Sequence, residues 1–333
     1  MSEEISRRVD RSSVRLSKAE ANAEAKLNRA MATKFNRLQR AVRSNWNEYR
    51  NLDRLPRKRA IALSKVLDEF LDVSPSNSEA TFRELYRRSQ AEGVSLARDL
   101  MRQIGIKDVR DAQRERATLY DDWDSFAFRT NDFVDFWTSD SAGRLGDWGQ
   151  KFKRDATAIF ELGMSQGWRP NRVNDALSAR FGQLLQQTER IVRTGSVSTR
   201  NSVASEFYKQ NGITLVQWQI SRTAADRTCN YCSPRNGNIY YIDRITYPLH
   251  PRERCTLLPV TRRKLLYNSD RDYWKEQKTL GLEALKEAGG KPNYGLAPFE
   301  KRTGREKPPK PIWQPDKGYS YGEKSKTRRL VDE

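Results

Sequence analysis

The chain has 333 residues with a net charge of +19, 36% hydrophobic and 32% charged residues, and a mean hydropathy of -0.89. Two or three domains fit that length. The low hydropathy excludes an all-apolar core throughout and favours long helices with narrow apolar stripes and solvated faces. No stretch approaches the roughly 20 apolar residues needed to span a bilayer, and Met1–Arg50 lacks the apolar core of a signal peptide.

Read in chain order, Leu16 to Leu52 predicts one long helix. Met31, Phe35, Leu38, Val42, Trp46 and Tyr49 recur at steps of four and three, the spacing of a single apolar seam. Pro56 ends the run. Ile61 to Leu71 predicts a second helix through Ile61, Val66, Leu67 and Phe70, and Ser74 to Asn77 reads as a turn before a helix that begins around Phe82, Leu85 and Tyr86. Val109 to Trp137 predicts a fourth helix. Its Tyr120, Trp123, Phe126, Phe128, Phe133, Phe136 and Trp137 are expected to be core rather than base-stacking residues.

Leu145 to Met164 reads as a further helix, Gly167-Trp168-Arg169-Pro170 as a break, and Asn171 to Phe181 as a short helix. Leu184 to Gln210 is the last long helix before the pattern changes, closed by Asn211-Gly212 as a C-cap. Ile213 to Ile220 then alternates like a strand, with Ile213, Leu215 and Trp218 inward, and Gly237 to Ile242 and Thr256 to Val260 are two more short β pieces. Tyr273 to Ala288 returns to helix. From Gly289 onward the sequence is rich in Pro, Gly, Lys and Arg, and is expected to be an extended basic tail ordered only by a partner. The fold class expected is mainly α: an elongated helical body, a small β zinc-binding module and a tail. The division expected is 1–140, 141–212, 213–265, 266–288 and 289–333.

All three cysteines and the only histidine fall within the β module: Cys229-Asn-Tyr-Cys232, then His250, then Cys255. A C-x2-C turn aims two thiolates at one ion, and His250 and Cys255 complete a tetrahedral Cys3His set for zinc. Four protein ligands leave no position for water, so the site expected is structural, with no catalytic residue and no other cofactor. Three thiolates and a neutral imidazole give it a charge near -1, which Arg227, Arg252 and Arg254 are close enough in sequence to offset. Glu253 competes with Cys255 for the fourth position; sulfur is the better zinc donor. The lone histidine argues against an HNH-type nuclease, which needs a histidine base and an open metal position. A zinc-ribbon DNA-binding regulator needs a recognition helix, and the helix before Ala288 is about as acidic as it is basic.

One series of residues is more specific. Thr188-Glu-Arg-Ile-Val-Arg-Thr194, then Asn211-Gly-Ile, Trp218, Asp226-Arg-Thr-Cys229-Asn-Tyr-Cys232, Gly237, Leu249-His-Pro251 and Arg254-Cys255-Thr256 resembles, in order and spacing, the phage head morphogenesis family. These are minor head (capsid) proteins similar to phage Mu protein F. The likeness covers roughly residues 145 to 262, and Glu253 stands where the family commonly carries a cysteine. The resemblance implies a non-enzymatic virion component made in the host cytoplasm and built into the capsid interior or portal vertex. Implied partners are the portal protein, the major capsid protein and packaged DNA, with no membrane. The basic surface and the tail residues Lys301, Arg302, Arg305, Lys307, Lys310 and Lys324 to Arg329 would make sequence-independent DNA contacts.

Overall fold

The structure is a computed structural model that describes residues 2–51, 65, 67–68, 75–103, 120–220, 232, 235–245, 254–260, 313–314 and 318–319. Among these the chain is mainly helical and ends in a small antiparallel sheet. The helices are α1 (Ser2–Asn51), α2 (Pro75–Gln103), α3 (Tyr120–Ser165) and α4 (Pro170–Gln210). The strands are β1 (Leu215–Gln219), β2 (Ile239–Tyr241), β3 (Thr256–Val260), β4 (Trp313–Gln314) and β5 (Gly318–Tyr319), with a short 3-10 turn at Ile242–Arg244. No helix among the described residues is long and apolar enough to cross a membrane.

The chain folds into two compact units. The first takes Met1–Lys18, Tyr86–Val134 and Ser196–Glu333; the second takes Ala19–Leu85 and Asp135–Gly195. In the second, the seam expected in α1 is buried at Met31, Phe35, Leu38, Val42 and Trp46, while the Tyr49 side chain lies outside the described residues. Phe35 stacks on Phe181 with centroids 4.2 Å apart and meets Phe152 edge-on at 6.1 Å, a pairing that adds to area burial. The wholly buried Trp46 donates its indole N–H to the Trp168 carbonyl at 2.8 Å. Trp168 follows the α3 C-cap. Gly167 has φ +62°, and the Trp168 N–H reaches back to the Gly163 carbonyl at 2.8 Å, so the break read at Gly167–Pro170 is real. Pro170 then opens α4, where its missing N–H costs nothing.

The helices are longer than their apolar periodicity. α1 begins at Ser2 rather than near Leu16, because Ile5, Val9 and Leu16 carry a buried face through a charged stretch. Ser76 and Asn77, read as a turn, lie in the first turn of α2, with Pro75 as its first residue. α3 runs unbroken through 138–144, and α4 through Gly182. A Cβ at Gly143, Gly146 or Gly182 would meet nothing within 4 Å, so these glycines lie in helix without marking a break. Of the aromatics expected in the core of α3, Trp137 is buried and Phe133 half-buried, but Phe136 is 57% exposed. It stands edge-on to Trp137, with the ring centroids 5.3 Å apart. In the proposed second helix, Leu67 is buried, while Ile61, Val66 and Phe70 lie outside the described residues, as does the helix expected at 273–288.

In the first unit the apolar core joins Ile5 and Val9 of α1, Leu96, Ala97 and Leu100 of α2, Val203, Phe207 and Tyr208 of α4, and the inner strands. α4 ends in a Schellman motif. Gly212 takes φ +76°, its N–H bonds to the Lys209 carbonyl at 3.0 Å, and the Ile213 N–H to the Tyr208 carbonyl at 3.0 Å. This cap turns the chain into β1. The sheet order is β3-β1-β2-β4-β5, all pairs antiparallel. β1 is central and buried at all five residues, so the alternation expected there gives way to a strand covered on both faces, Gln217 and Gln219 included. β3 falls on Thr256–Val260 as the sequence predicts. Two short pieces of the stretch read as a free tail, β4 and β5, instead pair into the sheet beside β2.

Candidate metal centre

Of the four residues read as zinc ligands, the structure describes Cys232 and Cys255. Both are free thiols, 2% and 4% exposed, and both belong to the core of the first unit. Cys229, His250 and the competing Glu253 lie outside the described residues, as do Arg227 and Arg252. Among the described residues, no three of His, Cys, Asp and Glu stand together as a metal group.

Topology brings the two cysteines to the same end of the sheet. β2 and β3 both run antiparallel to β1, so both begin where β1 finishes. Thr256 pairs with Gln219, which sets Cys255 just past the end of the β1–β3 ladder. On the other side of β1, the Cys232 carbonyl accepts from the Arg235 N–H at 2.9 Å, closing a turn. That turn is stitched to β1. The Gly237 N–H bonds to the Trp218 carbonyl at 2.8 Å, the Trp218 N–H to the Asn238 carbonyl at 2.9 Å, and the Ile220 N–H to Asn236 Oδ1 at 3.1 Å. Gly237 has φ +79°, a conformation that a side chain would strain. Gln217 Nε2 adds a bond to the Gly237 carbonyl at 2.8 Å. Thus Trp218, itself wholly buried, is held between the segment after Cys232 on one side and the strand after Cys255 on the other.

Helix α4 fixes Cys255 through its backbone. The Cys255 carbonyl accepts from Asn201 Nδ2 at 2.8 Å and from Arg200 Nη2 at 3.3 Å, and Arg200 Nη2 also donates to Thr256 Oγ1 at 2.9 Å. Arg200 is 1% exposed, and Ser196, Ser198, Thr199 and Asn201 around it are equally buried. Sequence reading missed both residues, because apolar periodicity does not see a polar face turned inward. The signal was present as an Arg-Asn pair in a run of small hydroxyl residues. Such residues can bond locally within the helix, as Thr194 Oγ1 does to the Arg190 carbonyl at 2.7 Å. Of the arginines expected to offset the site's charge, Arg254 donates to Ser17 of α1 at 2.9 Å, anchoring the approach to Cys255.

Two buried thiols at one sheet end, each on a strand or turn pinned by hydrogen bonds, fit the donor chemistry of a closed zinc site. They are pre-positioned and shielded from water, and their outer partners are backbone and α4 side chains rather than an open cleft.

The same helix carries a pH-sensitive bond. Tyr208 donates its hydroxyl to the Leu257 carbonyl at 3.3 Å, and burial pushes that hydroxyl well above the usual tyrosine range, with the Arg200 charge opposing in part. Because its folded value is raised, the unfolded chain ionises first. The stabilising contribution is complete below about pH 10 and is lost as pH rises beyond it, by about 1.4 kcal/mol per pH unit. Urea melts on either side of about pH 10 are expected to show this fall. Tyr208→Phe should flatten it, while costing about 1 kcal/mol at neutral pH for the lost hydrogen bond.

No protein-family model, curated protein or solved structure matches the chain.

Proposed function

We propose that this chain is a non-enzymatic phage head-assembly protein, a minor capsid component that works at or near the portal and is stapled by one structural zinc. The observation that carries the reading is the interlocking of the residues behind the resemblance. Thr188 and Thr194 are buried on α4, Gly212 supplies the left-handed cap, and Gly237 supplies the left-handed turn bonded to Trp218. Cys232 and Cys255 flank β1 at the end of the sheet where Trp218 lies. A motif series that matched by chance would have no reason to converge on one small module.

Cys229, Cys232, His250 and Cys255 would hold the ion, with Asn201 and Arg200 fixing the backbone of the last. Bound zinc would supply no reaction, only cross-linking of the loops at that end of the sheet. The net charge of +19 supports non-specific contact with packaged DNA, and the helical body is assigned to docking on portal or major capsid protein.

The test is co-expression with a portal protein and major capsid protein, followed by purification of assembled heads. The chain is expected to be retained on the particles and to co-purify with the portal. Salt-labile DNA binding indifferent to sequence is expected alongside. Absence from assembled particles sinks the capsid reading, and metal-dependent nicking of plasmid DNA lost in His250→Ala would favour a nuclease instead.

A further inference from the structure

The two edges of the sheet are treated differently. At β3 the edge is closed by α4: the carbonyls of Cys255 and Leu257 accept from Asn201 and Tyr208. Alternate residues of a strand direct their backbone groups to the same side, so Pro259 continues that edge, and it has no N–H to offer. Nothing can add to the sheet there.

The β2 side has no such closure by α4. Val216 of β1 pairs with Tyr240, and Trp218 bonds to Asn238, so the backbone of Ile239 between them faces outward. What pairs with Ile239 is Trp313 of β4, which in turn pairs with Tyr319 of β5. Residues 261–312 separate this hairpin from β3 in sequence. The contact is small, a two-residue strand registered at a single position of β2. Each backbone hydrogen bond contributes about 0.5–1.5 kcal/mol net. A tether of this kind holds its strand at roughly millimolar effective concentration, which crowded copies of the same chain can rival.

We propose that the outer edge of β2 is a strand-acceptor site, and that its occupant in an assembly is the Trp313–Tyr319 hairpin of a second copy of this chain. The recognition is β-augmentation: backbone bonds at Ile239 supply the attachment, and the register Ile239–Trp313 sets the alignment. Occupation by the chain's own hairpin covers the edge in an isolated molecule, and exchange links copies without any new surface. The proposal is independent of zinc and of the head reading, since it rests on the sheet alone.

The test uses the full chain. Chains carrying Ile239→Cys are mixed with chains carrying Trp313→Cys under mild oxidation, with the unaltered chain and each single variant as controls for the native cysteines. A mixed disulfide, seen as a doubling of the 38.7 kDa mass and absent from every control, is the expected result. Closure within one chain of the double variant, with no mixed disulfide from the two singles, overturns the proposal. Absence of both links also overturns it, because β4 would then not occupy this edge. If the variants fail to fold, a fluorescent peptide of residues 309–321 titrated into the unaltered chain decides. Saturable capture, weakened at least tenfold by Ile239→Pro, supports the exchange, and no capture refutes it.

Discussion

Gly93→Val is expected to destabilise the protein by about 3 kcal/mol, at the upper end of what overpacking a close helix contact costs. Gly93 lies in α2, where an added Cβ would stand 2.6 Å from the Arg200 carbonyl oxygen and 3.2 Å from the Val203 Cβ of α4. The nearest obstacle is backbone, so no rotamer change relieves it, and the helices must move apart. Displacing Arg200 also disturbs the bonds that fix Cys255 and Thr256. Gly182→Ala is the control. It is another glycine inside a helix, but in open space, and it should stabilise by about 1 kcal/mol through helix propensity alone. Denaturant midpoints of the two variants are expected to move in opposite directions. If both rise, the close crossing at Gly93 is wrong.

Metal removal should have the largest effect on the β module. Structural zinc contributes on the order of 10 kcal/mol to a site of this kind, so under the zinc reading the native chain carries about one ion per molecule. A strong chelator is expected to open the module while most of the helical signal persists. Trp218 reports this, because it is wholly buried between the Cys232 turn and β3. Its fluorescence should shift to the red on chelation and recover when zinc is added back. Cys255→Ser should lose the ion and Glu253→Ala keep it; the reverse pattern would make Glu253 the fourth ligand. A metal-free native chain whose fluorescence ignores the chelator would refute the staple. In that case Cys232 and Cys255 would be core thiols only.

Much of this architecture could be read from particular residues. The α1 seam from Met31 to Trp46, the Gly167–Pro170 break, the Asn211–Gly212 cap and the β3 limits all follow from periodicity, glycine and proline. Helix continuity was less visible. Apolar periodicity lapses around 138–144 and 182–184, yet hydrogen bonding along a helix does not need an apolar residue at every turn. Glycines facing open space are tolerated there at modest cost. The inward polar face of α4 was hidden for a related reason. Arg200 and Asn201 read as surface residues by type, and only the position of β3 against them shows otherwise. Phe136 erred the opposite way, aromatic by type and exposed in place. The pairing of β4 with β2 was illegible, since two residues after a long unpatterned stretch carry no signal of their partner.

Every boundary between the two units falls inside one of the four helices: 18/19 in α1, 85/86 in α2, 134/135 in α3 and 195/196 in α4. Neither unit is therefore a contiguous piece of chain. On the ribosome, the first eighteen residues emerge long before the α4 segment and strands that complete their core. That core cannot close until synthesis is nearly finished, which favours late, long-range folding over a domain-by-domain order. A nick or premature stop in the last third of the chain would strand the amino terminus of α1 without its partners, so only full-length molecules would reach a competent state.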